Sequence, residues 1–243
     1  MKEKVTKAIV IGAGLGTRMY PFTKVDSKLM IPVMNRPIIE MIVEELVNSG
    51  IKEITVVSNH ITKIKQLFEE NKSLNNLLEK LNKTEELKLL KSIEYPVKIK
   101  VIEHDQPMGW MYEVYDKAKC LKEEPILVCF SDLLFDSKIP AAKQVISKYE
   151  KTGKNIKSEG RFILKPSAFP LIEKEEYVLG EDVADIDVFE KLREQDDLET
   201  MSIDGHFLNV GETKSYIKTI CYLGLKNKEF GEELKEYLKE LIK

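Results

Sequence analysis

The chain has 243 residues, 43% hydrophobic and 33% charged, with 38 basic residues against 41 acidic ones and a formal net charge of −3. That balance describes a globular protein rather than a disordered one, and it lacks the basic excess with which nucleic-acid binders meet phosphate backbones. No run approaches the ~20 apolar residues of a membrane span, and Cys120, Cys129 and Cys221 are too widely spaced for a disulfide framework, so they read as reduced, packed thiols of a cytoplasmic protein.

In chain order, KAIVI (7–11) reads as a first buried strand, a β-branched run too short for a signal peptide that flows directly into glycines. In RPIIEMIVEELVNSG, Ile38, Ile39, Ile42 and Leu46 share one helical face, with Pro37 where a helix starts and Gly50 where it stops. EITVVS (53–58) is a second strand, and residues 61–92 are one or two helices rich in Leu, Lys and Glu. VKIKVIE (97–103) and PILVCFS (125–131) are further strands. At the C-terminus, Phe230, Leu234, Leu238 and Leu241 form the stripe of an amphipathic helix docked on its own domain.

This alternation implies βαβ units and a mainly parallel sheet with helices on both faces. Ligands of such sheets sit beyond the carboxyl ends of the strands. Three pieces fall there: the loop after the first strand, SDLLFD (131–136) and HDQPMGW (104–110).

The first loop, GAGLGTRMYPFTKVDSKLMIPV, holds the strongest chemical signal. Gly12, Gly14 and Gly16 let backbone N–H groups approach phosphate oxygens. A dinucleotide fingerprint would need glycine at Thr17 and an acid roughly 20 residues on, where Ile31, Pro32 and Val33 stand. A Walker loop would need GK[ST], which is absent. A third possibility is a loop that cradles a nucleoside triphosphate while Arg18 grips oxygens with its fork and Lys28 adds a point charge; a merely tight turn is the alternative, and it leaves TR followed by SKLMIPV unexplained.

On these residues the chain resembles the sugar-phosphate nucleotidylyltransferases, and among them the uridylyltransferases that act on glucose 1-phosphate. The likeness extends through NRPIIEMIVEELVNSGIKEITVVSNH, resumes in EGRFILKPSAFPLI and GEDVADIDVFEKL, and reaches NVGETKSYIKTICYLGL. The resemblance implies a Rossmann-like α/β fold of the nucleotide-diphospho-sugar transferase type. One domain over 1–243 is expected, with nucleotide-binding residues in 1–156 and a shortened sugar-binding part with the C-terminal helices in 157–243. It implies UTP and a sugar 1-phosphate as substrates, Mg²⁺ as cofactor, possible homo-oligomers, and attack on the α-phosphorus with release of pyrophosphate. Arg18 should face the departing pyrophosphate and Lys28 the phosphates near the reacting centre. Ala13, Gly14, Gly16, Thr17, His104, Gln106 and Gly109 are then nucleotide-binding, and Asp132 and Asn209 stand at the metal positions.

Four departures qualify the resemblance. Asn209 replaces an aspartate, so metal affinity should fall. His104 replaces the base-reading Gln, with Gln106 as its substitute, and the bulky Trp110, Met111, Tyr112 and Glu113 fill a Gly-His-Ala stretch; Trp110 either stacks on a base or packs. The long segment with the sugar site and its lysine is missing between YEKTGKNI and KSEGRFIL, leaving Lys165 as a candidate replacement. Ser27 stands where a proline is usual. Two readings remain open: an active nucleotidylyltransferase, or a relative that binds a uridine nucleotide without turnover, since each lost charge-assisted hydrogen bond removes about 1.5–3 kcal/mol.

Overall fold

The computed structural model describes residues 3–104, 106, 108–117, 123–179 and 184–242. Its centre is a seven-stranded sheet in the order β10-β8-β9-β6-β1-β4-β5. These strands are β1 (Lys7–Ile11), β4 (Glu53–Ser58), β5 (Lys98–Glu103), β6 (Ile126–Phe130), β8 (Asn155–Lys157), β9 (Arg161–Leu164) and β10 (Leu198–Thr200). β1 pairs in parallel with β4 and β6, β4 with β5, and β10 with β8, whereas β9 runs antiparallel to β6 and β8. The mainly parallel, mixed α/β sheet is therefore observed.

β1 is buried on both faces, as its unbroken apolar run requires. Ala8 and Val10 join one core layer and Ile9 and Ile11 the other. The first layer includes Ile38, Ile39, Ile42 and Leu46 of α1 (Ile38–Asn48) and Ala142, Val145 and Ile146 of α6 (Ala141–Thr152). The second includes Val114 of α5 (Trp110–Lys117), Ile172 of α7 (Phe169–Ile172) and Phe189 of α8 (Ala184–Glu194). Pro37 precedes α1, and Gly50, at φ +94°, follows it in a conformation that favours glycine.

The stretch 61–92 is three helices rather than one or two: α2 (Thr62–Phe68), α3 (Lys72–Lys80) and α4 (Thr84–Ser92). Asparagines make the breaks. The Asn71 side chain accepts from the Leu74 N–H at 3.1 Å and starts α3, and Asn82 lies just past its end in the left-handed conformation at φ +55°.

β2 (Pro32–Val33) and β3 (Arg36–Pro37) form a small ribbon after the first loop. A second ribbon pairs β7 (Leu133–Asp136) with β11 (His206–Asn209), Leu133 lying opposite Asn209. After it, α9 (Thr213–Lys226) packs against α10 (Gly231–Leu241), whose Leu234 and Leu238 are half-buried. A side chain at Gly224 would stand 2.7 Å from the Leu234 Cδ2 atom, so glycine permits this approach. The docked terminal helix is as expected, although Leu241 stays exposed. Cys129 is buried, with its thiol pushed up to about 12 by that burial, whereas Cys221 is exposed on α9 and Cys120 lies outside the described residues.

Among the described residues, no helix is long and apolar enough to cross a membrane.

Candidate functional site

The carboxyl ends of β1 and β6 lie side by side, Ile11 opposite Phe130, where the chain leaves β1 toward β4 on one flank and β6 on the other. Such a divergence opens a crevice. A cavity of about 480 Å³ occupies it, lined on one side by Gly14, Gly16, Thr17, Arg18 and Lys28 and on others by Gly109, Asp132 and Asn209. Eight of the eleven residues expected from the sequence thus share one space.

The three others do not line it. Ala13 is buried in the core layer beneath the loop. His104 is buried, donates its backbone N–H to the Ser58 carbonyl at 3.0 Å, and its ring bonds the Gln106 carbonyl. Gln106 is exposed, and Asp105 and Pro107 of the same stretch lie outside the described residues.

The glycines divide their work. The Gly12 N–H donates to the Val57 carbonyl at 2.9 Å, and a side chain there would meet both that oxygen and Leu29, so Gly12 serves packing rather than anion binding. Gly16 adopts φ +62° and turns the chain into the Thr17–Met19 helical turn, with the Thr23 hydroxyl donating to its carbonyl at 2.7 Å. Gly14 lies beside the Lys28 ammonium, 3.7 Å from where a Cβ would stand. Lys28 opens another short helical turn, which Ser27 caps by accepting from the Leu29 N–H at 3.2 Å while also bonding the Ser58 hydroxyl at 2.9 Å. Serine in place of the expected proline thereby ties this turn to β4.

Arg18 is exposed and makes no ion pair among the described residues. The Lys28 Nζ atom lies 3.7 Å from Asp132 Oδ2, beyond hydrogen-bond reach. These two cations can therefore meet an incoming anion without first breaking a tight internal bond.

Asp132 and Asn209 converge because the β7–β11 ribbon brackets them, the Val210 N–H donating to the Asp132 carbonyl at 2.9 Å. Asp132 Oδ2 and Asn209 Oδ1 stand 2.6 and 3.2 Å from the point a Gly211 Cβ would occupy. Asn209 Oδ1 also accepts from the Gly211 N–H at 2.7 Å. Magnesium prefers hard oxygens and takes one or two carboxylates plus substrate phosphates. This oxygen pair, with a single negative charge, fits a metal that arrives with a polyphosphate. Among the described residues, no group of three or more His, Cys, Asp or Glu side chains could hold a metal by itself.

Trp110 packs rather than standing free. Its ring stacks on Phe162 at 4.9 Å and meets Phe130 edge-on at 5.3 Å, and the residue is also part of the cavity lining. Lys165 follows β9, at the amino end of β6 and so at the other end of the sheet from the cavity, and pairs with Asp197 at 2.6 Å. It does not replace the missing sugar-site lysine.

Arg161 was not anticipated as part of this region. It is 0% exposed and grips Glu45 with two nitrogens at 2.9 and 2.8 Å. It also donates to the carbonyls of Phe130 (3.3 Å), Gly160 (2.9 Å) and Leu133 (3.1 Å), clamping the backbone on both sides of Asp132. Burial opposes its charge, but the Glu45 carboxylate holds the guanidinium above its ordinary range. A charged residue inside the apolar run RFIL was the available signal.

A family model described as nucleotidyl transferase matches residues 7–166. A UTP–glucose-1-phosphate uridylyltransferase of Staphylococcus saprophyticus is 28% identical over 289 residues, spanning 99% of this chain and all of that protein. That alignment is longer than the chain, so the relative carries residues this one lacks. The UTP-bound UGPase of Acinetobacter baumannii shares the fold at a TM-score of 0.86 with 24% identity, over 98% of this chain and 99% of that one. A UDP-glucose pyrophosphorylase complexed with UDP-glucose does so at 0.80 with 19% identity, over 92% and 100%.

Proposed function

Because the chain belongs to the nucleotidyl transferase family and is an enzyme of that class, we propose that it transfers uridylyl groups from UTP to glucose 1-phosphate. The reaction forms UDP-glucose and pyrophosphate. A phosphate oxygen of the sugar phosphate attacks the α-phosphorus of UTP in line, that bond forms, and the α–β bridging oxygen departs with pyrophosphate. Such transfers need positioning and charge neutralisation more than covalent help.

The carrying observation is the convergence of Arg18, Lys28 and Asp132 on one cavity at the carboxyl ends of β1 and β6. In this reading Gly14 and Gly16 admit the triphosphate, Arg18 steadies the departing pyrophosphate, and Lys28 neutralises oxygens at the reacting centre. Gly109 offers backbone to the base. Asp132 and Asn209 would hold magnesium, which when bound supplies positive charge to the phosphate oxygens. Residues 1–156 and 157–243 act together as one domain, the second part in shortened form.

One observation favours the alternative of a uridine-nucleotide binder without turnover. β8 runs into β9 through residues 158–160 alone, at the place where relatives were expected to insert their sugar-binding segment. Incubation with Mg²⁺, UTP and glucose 1-phosphate decides between the two. The proposal expects pyrophosphate release above a protein-free control. Calorimetric UTP binding without pyrophosphate would establish the alternative.

A further inference from the structure

Lys28 carries its ammonium on a long flexible stem, so the backbone beneath decides where the charge can reach. That backbone is held on both sides. Its neighbours in sequence are buried, Ser27 at 1% and Leu29 at 0% exposed. The Ser27 N–H donates to Asp26 Oδ1 at 2.9 Å, and Asp26 in turn pairs with Lys63 of α2.

A further restraint comes from Ser58, the last residue of β4, which is fully buried. Its hydroxyl lies 2.9 Å from that of Ser27 and accepts from the His60 N–H at 3.2 Å. One direction gives each hydroxyl proton an acceptor. It runs from the Leu29 N–H into Ser27, from Ser27 into Ser58, and from Ser58 to the His60 carbonyl at 3.5 Å. Ser27 stands at φ −68°, the angle that the ring of the expected proline would impose. Hydrogen bonds thus supply here the restraint that a ring would supply.

The place of Ser58 in the sheet gives this contact a role beyond capping. The preceding residue, Val57, accepts the Gly12 N–H at 2.9 Å where the glycine loop begins. Two consecutive residues of β4 therefore hold the two arms of the cavity, one bearing Gly14 and the other Lys28. The register between those arms sets where the Lys28 ammonium stands, 3.7 Å from Asp132 Oδ2.

On the nucleotidyl-transfer reading above, we infer that Ser58 is a positioning residue that acts through Ser27 on Lys28. Ser58 does not itself line the cavity. It holds the turn so that the ammonium meets the reacting phosphate instead of closing onto Asp132.

Pyrophosphate release at saturating Mg²⁺, UTP and glucose 1-phosphate tests this in a cycle of Ser58→Ala and Lys28→Ala in the intact protein. Ser58→Ala alone should lower kcat roughly tenfold, as a misplaced charge does. In the Lys28→Ala background the same change should lower kcat by less than about twofold, because the group it places is gone. Ser27→Ala breaks the same bond from the other side and should show the same two values; it decides the matter if Ser58→Ala does not fold. Equal losses in the two backgrounds, or no loss in either, overturn the inference while the unaltered protein still turns over. Absence of pyrophosphate release by the unaltered protein overturns the nucleotidyl-transfer reading, and this inference with it.

Discussion

Two pairs of cations, Arg18 with Lys28 and Arg161 with Lys165, are put to opposite uses. Arg18 is exposed without an ion pair among the described residues, and Lys28 stands 3.7 Å from Asp132. Arg161 is fully buried on Glu45 and three carbonyls, and Lys165 is held by Asp197 at 2.6 Å. The same residue types thus line an open cavity in one place and fasten strands in the other. What separates them is partner geometry: a tightly matched carboxylate consumes a cation, whereas a loose one leaves it available.

The largest effect should come from the fastened pair. Arg161→Ala leaves Glu45 without its guanidinium and three carbonyls without a donor, and should cost about 3–5 kcal/mol in denaturant unfolding. A loss below about 1 kcal/mol would erase the distinction. Lys28→Ala should do the reverse, lowering pyrophosphate release about 10²–10³-fold while stability stays within about 0.5 kcal/mol. Greater damage to stability than to rate would move Lys28 into the fastened class.

Finer changes sharpen the contrast around Asp132. In Gly211→Ala the new methyl would stand 2.6 Å from Asp132 Oδ2, displacing that carboxylate. Turnover should fall roughly tenfold from about 1 Å of misplacement, with the unfolding midpoint nearly unchanged. The smallest effect is a gain: Asn209→Asp adds a second negative oxygen, and the half-saturating Mg²⁺ concentration should fall several-fold, to about a tenth at most. No fall would mean that the new carboxylate stays committed to the Gly211 N–H, as the Asn209 carbonyl is in the unaltered protein.

The ease of reading the two pairs from sequence also differed, for a physical reason. Arg18 and Lys28 sit in one continuous loop after an apolar strand, so both cations could be read beside the glycines in a single stretch, and the resemblance supplied the roles expected of them. The sheet was likewise readable, because β1, β4, β5 and β6 are short β-branched runs between helices. Arg161 became intelligible only when antiparallel β9 brought it near Glu45, 116 positions away in sequence. Glu113 stood in plain view as an unexpected acid, but its place in the cavity wall depended on where α5 packs. His104 misled in the opposite direction: its sequence position matched a base-reading residue, yet its ring turns to the neighbouring Gln106 carbonyl.

The short connection at 158–160 also makes this chain a natural host for grafting. Its ends belong to strands paired through Ile156 and Ile163, so a spliced-in arm would begin and finish on a ready-made anchor. The entropy of closing an added loop grows only logarithmically, about 0.6 kcal/mol per doubling of length. Large variation in what hangs over the crevice can therefore be accommodated by a scaffold that scarcely changes.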